Sequence, residues 1–239
     1  AASSLPSSRS VQVGTLASAF ATMINIGSTT LTGCSIAPRT SVAADFAYQT
    51  TDAANVPAGT PNTPVDIPAG GFQNYIFGFL PSAPISPTEV ELDYDCTNSE
   101  PAPVTAGLNT LLLSATTTAV ADIVALAITP TGDGILNLPG TNGSNAFSVA
   151  TVNNGGTDTI TATADTTVSL PVVLSICETN PATGACLSAA ASSTTSTVNA
   201  GFTPTYSVFA TGTGTVPFDP AFNRIVVTFT DGSGAVRGS

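Results

Sequence analysis

The sequence has no histidine, no lysine and no tryptophan, and its only basic side chains are Arg9, Arg39, Arg224 and Arg237. Each absence removes a class of function. Without histidine, Ser-His-Asp and Cys-His nucleophiles and blue-copper ligation are excluded. Without lysine, Schiff-base chemistry, Ser-Lys dyads and Lys–Asn isopeptide crosslinks go too. No glycine-rich phosphate loop joins a strand to a helix. Nucleic acid needs a basic stripe to neutralise phosphates, and a chain with 15 acids and a net charge of −11 has none. Anionic membrane surfaces are disfavoured for the same reason. No apolar run approaches the ~18–20 residues of a membrane-spanning helix, so membrane insertion is not expected.

What remains is a hydroxyl-rich, sparsely charged chain. Charged residues make up 8% of it, against roughly 25% in typical soluble domains. Hydrophobic residues supply 42%, enough to build a core in each of two ordinary domains. The opening Ala1-Ala2-Ser3-Ser4 has the small-residue composition found just after signal-peptide cleavage, which points to export. Four cysteines, Cys34, Cys96, Cys177 and Cys186, then favour disulfides over metal ligation. The expected pairs are Cys34–Cys96 and Cys177–Cys186, because each falls within one domain. Zinc is the competing reading, but the spacings match no paired CxxC knuckle and no histidine is present.

Helix signals are scarce. Thr, Val, Ile and Phe alternate in short runs broken by Gly, Pro, Asn and Asp, the pattern of an all-β sandwich or barrel. Strands are expected at residues 11–14, 17–25, 29–37, 43–50, 63–67, 74–80, 89–96 and 109–115. A second set is expected at 122–129, 134–138, 147–153, 158–164, 168–176, 196–199, 205–211 and 224–230. The two sets repeat one another. Residues 20–34 align without gaps on 149–163 with six of fifteen positions identical, placing Asn25 on Asn154 and Gly27 on Gly156. Phe72 and Phe79 fall on Phe202 and Phe209, and Val90-Glu-Leu-Asp-Tyr94 falls on Ile225-Val-Val-Thr-Phe229. The reading is a duplicated domain: 1–116 with an N-terminal extension, and 117–239 lacking its last strand.

The run Phe20-Ala-Thr-Met-Ile-Asn-Ile-Gly-Ser-Thr-Thr-Leu-Thr-Gly33 resembles the V-x-N-x-G signature of CARDB-type and related immunoglobulin-like repeats of bacterial surface proteins. That resemblance implies two tandem immunoglobulin-like β-sandwiches working in adhesion, spacing or assembly at the cell surface. The cysteine pairs are not part of the family pattern, and the resemblance supplies no functional residues.

Carboxylates are the only reactive set left. In residues 89–96, Val90, Leu92, Tyr94 and Cys96 point one way, and Glu89, Glu91, Asp93 and Asp95 the other. A glycosidase would also need a cleft with stacking aromatics, so no enzyme is expected. Asp93, Asp95 and Glu100 are the candidate calcium ligands, although the loop lacks the glycine and terminal glutamate of an EF-hand. A solvated acidic face is the simpler reading. The stretch 75–80 is apolar on both faces, so it is buried on both sides or meets another subunit, the former being favoured. Asn142-Gly-Ser144 is a single glycosylation sequon.

One asymmetry suggests self-association. Domain one follows its acidic strand with the apolar residues 108–114, whereas domain two ends soon after 224–230. A sandwich short of a strand leaves an apolar groove and unpaired edge groups. Residues 1–14 precede every repeat landmark and are read as an extension outside the sandwich, with Val11 and Val13 as its apolar contacts. Either the chain is cut short of its last strand, or this arm completes domain two of a neighbouring copy, giving a homopolymer; the two readings weigh equally, and the low-charge, lysine-free surface adds to the second. A calcium- or carbohydrate-dependent binding module of the cell surface is the alternative.

Overall fold

A computed structural model describes residues 1–239, and every regular element in it is a β-strand. The chain divides into two compact units, Ala1–Ala119 and Val120–Ser239. Unit one contains β1 (Ala2–Leu5), β2 (Ser8–Gln12), β3 (Ala17–Ile24), β4 (Leu31–Pro38), β5 (Ala44–Thr51), β6 (Val65–Ile67), β7 (Phe72–Pro81), β8 (Ile85–Asp95) and β9 (Thr110–Thr116). Its sheets run β1-β3-β7-β5 and β2-β9-β8-β4-β6. All pairs are antiparallel except β2 with β9.

Period-two burial explains these strands. Ala17, Ala19, Ala21 and Met23 of β3 turn inward, while Phe20 and Ile24 stay exposed. On β8, Val90, Leu92, Tyr94 and the following Cys96 are buried, as the alternation requires. Tyr75, Phe77 and Phe79 of β7 pack beside Phe46 and Tyr48 of β5, with Phe46 and Phe79 ring centroids 4.9 Å apart. Leu111 and Leu113 of β9 complete this core from the other sheet. Cys34 is bonded to Cys96 across neighbouring strands of a single sheet, one step beyond the Ser35–Asp95 pair.

Unit two contains β10 (Ile123–Ile128), β11 (Ser144–Asn153), β12 (Asp158–Thr166), β13 (Val172–Thr179), β14 (Ser193–Val198), β15 (Thr205–Gly212), β16 (Ile225–Thr230) and β17 (Val236–Gly238). Its sheets run β10-β11-β15-β13 and β14-β12-β16-β17. The pairing scheme is that of unit one, strand for strand, except that nothing corresponds to β2. Cys177 is bonded to Cys186 and closes the turn after β13. Residues 134–138, expected as a strand, form none.

The repeat is present, but two of its three landmarks sit one residue from the register read in the sequence. Buried Ala21 of β3 lies opposite Tyr75, and buried Val149 of β11 opposite Tyr206, so the equivalent asparagines are Asn25 and Asn153. Tyr75, Phe77 and Phe79 likewise correspond to Tyr206, Val208 and Ala210; Phe209 faces outward. The landmark at 90–94 and 225–229 keeps its register, with Tyr94 opposite Ile36 and Phe229 opposite Ala162. The shared residues lie on opposite faces of the two strands: Thr22 of β3 faces outward, whereas Thr151 of β11 is buried. A slip of one residue exchanges the two faces of a strand, so burial decides the alignment.

The two asparagines do the same work. Asn25 Nδ2 donates to the carbonyls of Thr29, Ile67 and Pro68, and its Oδ1 accepts from the Gly27 amide. Asn153 Nδ2 donates to Gly156, Val198 and Asn199, and its Oδ1 accepts from the amides of Asp122 and Gly155. Each buried amide thus ties the β3–β4 or β11–β12 turn to the end of β6 or β14. Asn153→Ala should destabilise unit two by about 3 kcal/mol, because it strands several backbone groups at once. Asn154→Ala, at the exposed neighbour, should stay within about 0.5 kcal/mol. Urea denaturation followed by hydrogen exchange of the β11 and β12 amides measures both.

Candidate functional site

The acidic face of β8 is already engaged in part. Asp93 is ion-paired with Arg39, Glu89 accepts from the Thr110 hydroxyl, and Asp95 accepts from the Cys96 amide. The hydrogen bond and charge of Asp93, with Glu91 nearby, raise the pKa of the Arg39 guanidinium. Glu100 lies in the exposed turn beyond β8. No group of three or more carboxylate, cysteine or histidine side chains is gathered for a metal ion, at Asp93, Asp95 and Glu100 or elsewhere. The alternation was legible in the sequence; the partner Arg39, fifty-four positions away, was not.

The N-terminal segment does not extend outside the sandwich, which corrects the expectation for Val11 and Val13. β1 pairs with β3, and β2 lies parallel to β9 with Ser8 opposite Leu112 and Gln12 opposite Thr116. Val11 is buried in the core of its own unit, and Val13 packs against that core. The sequence hid these strands because their inward positions are largely serines. Ser4, Ser8 and Ser10 are buried, Ser10 Oγ lies 2.6 Å from Ser114 Oγ, and Ser4 Oγ donates to the Thr110 carbonyl. Hydroxyl pairs across strands replaced the apolar alternation that marks the others.

The two-sided apolar stretch of β7 is also resolved, against the favoured expectation. Tyr75, Phe77 and Phe79 fill the core, but the opposite face is open to solvent. There Leu16 covers Gly78, whose missing side chain makes room for it, since an added Cβ would sit 2.9 Å from Leu16 Cδ1. Leu5, Phe20, Ile24, Phe72 and Leu80 are exposed on this outer sheet. Their Cα pairs form two groups, Leu5 with Phe20 and Ile76, and Ile24 with Phe72, separated by the hydrogen-bonded Thr22 and Asn74.

Unit two has an incomplete edge. β9 meets β8 from Glu91 back to Ile85, whereas β17 meets β16 only at Phe229 and Thr230. Residues 225–228 therefore have a strand partner on the β12 side alone. β17 approaches β10 so closely at Gly238 that an added Cβ would lie 2.3 Å from the Ile123 carbonyl oxygen; only glycine fits. Between residues 134–138 and the connection 214–220, near the start of β16, the unit has a cavity of about 660 Å³, lined by Ala127, Leu136, Leu138, Phe147, Val216 and Ile225 among others.

A polar clasp holds the short hairpin that ends at this edge. Asp231 Oδ1 accepts from the Ser233 amide and hydroxyl and from the Ala235 amide, and Oδ2 accepts from Arg237 Nε at 2.7 Å. Both side chains are more than nine-tenths buried. Burial alone would push the Asp231 carboxyl up; the bonds from Ser233, Arg237 and the Ser233 and Ala235 amides outweigh it and hold it at about 2. Asp-Gly-Ser-Gly is a readable turn, but the reach of Arg237 back to Asp231 is a product of the fold.

No protein-family model matches the chain, and no curated protein matches it. Among solved structures, it is similar at 9% identity and a TM-score of 0.28 to the secreted serine protease VesC from Vibrio cholerae, over 94% of this chain and 49% of that one. The chain thus spans about half of VesC. It is similar at 14% identity and a TM-score of 0.25 to a chain from a structure described as a chaperone–tip adhesin complex of CFA/I fimbriae biogenesis, over 96% of this chain and 83% of that one. At these scores neither likeness carries structural or functional weight.

The clasp makes stability depend on pH. An unfolded aspartate titrates near 3.8, so between that value and about 2 the unfolded state binds more protons than the folded one. The contribution is complete above the unfolded value and is lost as pH falls through this window. Asp231→Asn should be less stable than the parent by about 2 kcal/mol at pH 7. The difference should shrink toward zero by about pH 2, as read by thermal denaturation across that range.

Proposed function

We propose that the chain is a non-enzymatic structural protein of the cell exterior, a subunit that assembles into a surface filament or layer by β-strand addition. Its two units are read as tandem immunoglobulin-like sandwiches, in keeping with the CARDB-type signature around Asn25. Two disulfides belong to a protein of an oxidising, non-cytoplasmic compartment. The apolar side chains exposed on the outer sheet of unit one, Leu5, Phe20, Ile24, Phe72 and Leu80, carry the proposal: such a surface is covered by contact with another copy. The donor of a strand is not the arm at 1–14, which is committed to unit one. A head-to-tail contact of this kind propagates instead of closing.

Electron microscopy and sedimentation of the oxidised protein at rising concentration test the reading. Fibres or ordered sheets are expected. Monodisperse monomers at every concentration, with binding of calcium or glycans, would instead establish the binding-module alternative.

A further inference from the structure

We infer that the outer edge of β13 in unit two is a concealed association surface. A strap, residues 185–191, closes it, and reduction of Cys177–Cys186 opens it to pair with the same edge of a second copy. The choice of a second copy rests on the assembly reading above, whereas the strap and its fastening rest on pairing geometry alone.

β13 ends the sheet β10-β11-β15-β13, and the backbone groups that turn away from β15 meet the chain's own return segment. The Ile176 amide donates to the Ala191 carbonyl at 2.7 Å, and the Ala191 amide donates back at 3.1 Å. The Leu187 amide donates to the Glu178 carbonyl at 2.9 Å, and the Asn180 amide to the Ala185 carbonyl at 2.9 Å. Soon after Ala191 the chain enters β14 in the other sheet, so Leu174, which faces the same way as Ile176, has no strand beside it. An edge covered by its own chain is protected against other chains.

Unit one covers the equivalent edge by other means. Tyr48 of β5 lies opposite Phe77 as Ile176 lies opposite Val208, and its backbone exchanges two bonds with Asn62. The Ala58 amide donates to the Thr50 carbonyl, at the position that Glu178 holds in unit two. Side chains fasten that strap. The Thr50 hydroxyl donates to the Ala58 carbonyl, Gln49 donates to that of Gly59, and Asp52 accepts from the amides of Ala54 and Val56. Residues 185–191, Ala-Cys-Leu-Ser-Ala-Ala-Ala, offer nothing comparable, and the side-chain bonds of Asn180 and Thr183 stay within their own turn. In unit two the disulfide takes over the fastening.

Cys186 is exposed, whereas Cys177, Cys34 and Cys96 are buried. A small thiol therefore reaches this bridge before the other. Its thiolate attacks Cys186 Sγ, the Sγ–Sγ bond breaks, and Cys177 leaves as a thiolate that takes up a proton. A second thiol displaces Cys186 from the mixed disulfide, so two small thiols are oxidised as the bridge is reduced. The edge then opens on every copy alike. Its run Val172-Val-Leu-Ser-Ile176 bears no charge, and antiparallel pairing sets the single Glu178 of each copy at opposite ends. Two copies of a chain with net charge −11 can meet there without facing carboxylates.

The test uses the full chain in graded dithiothreitol, with alkylation and peptide mass mapping. Cys177 and Cys186 should be labelled first, at a dose that leaves Cys34 and Cys96 bonded. At that dose and in dilute protein, the amides of Ile176, Leu187 and Ala191 should exchange at least tenfold faster, while those shared between β13 and β15 keep their protection. Raising the concentration should restore protection at Ile176, add it at Leu174, and give a species of twice the mass in sedimentation. The double variant Cys177→Ala, Cys186→Ala should behave alike without reductant. Unchanged exchange at Ile176 once the bridge is open, or loss of protection throughout unit two, would overturn the strap. Faster exchange with no association at any concentration would overturn the second copy as the occupant. Fibres of the oxidised protein test the assembly reading separately: fibres without a β13 pair leave that reading standing alone, and a β13 pair without fibres does the reverse.

Discussion

Each backbone amide and carbonyl removed from water requires a partner, and in a chain without helices the partner must be another strand. That constraint decides which segments of this protein become structure. Residues 8–12, poor in apolar side chains, form a buried strand because β9 offers them an edge. Residues 134–138, with a better apolar pattern, form no strand. Local propensity is overruled at both places. The two buried asparagines serve the same requirement at the turns, where no strand can reach.

Most of the architecture was legible from alternation alone. The strands β3, β4, β5, β7, β8, β10, β11, β12, β15 and β16 lie within a few residues of where period-two patterning places them. Both disulfides also follow from the even count and their placement within one half each. The failures share a cause. β1 and β2 bury serines whose hydroxyls pair across strands, and a hydrophobicity pattern is blind to that. The Asn25–Asn154 alignment sets outward Thr22 on buried Thr151 and buried Ala21 on exposed Ala150, matching the two strands on opposite faces. Burial of Ala21 and Val149 sets the true register, and burial is a property of three dimensions.

The candidate site was half legible. The sequence could not show that the N-terminal residues are already spent within unit one, since only pairing geometry reveals it. The acidic ladder was correctly assigned to one strand face, and its pairing with Arg39 came from β4 running beside β8. The exterior is rich in hydroxyls and sparsely charged, and what charge it has is almost all negative.

The bond between Cys34 and Cys96 joins two neighbouring strands of one sheet at a sequence separation of 62. Pulled at its two ends, unit one would transmit load across this bridge and spare the chain between. About 200 Å of contour, at ~3.4 Å per residue, is thereby withheld from extension. Strands β5, β6, β7 and β8 and the later part of β4 lie inside that protected loop. Only the N-terminal strands β1 to β3, the start of β4 and the region of β9 could peel away. The disulfide thus gives the first unit a built-in limit of stretch, which suits a tether more than a spring.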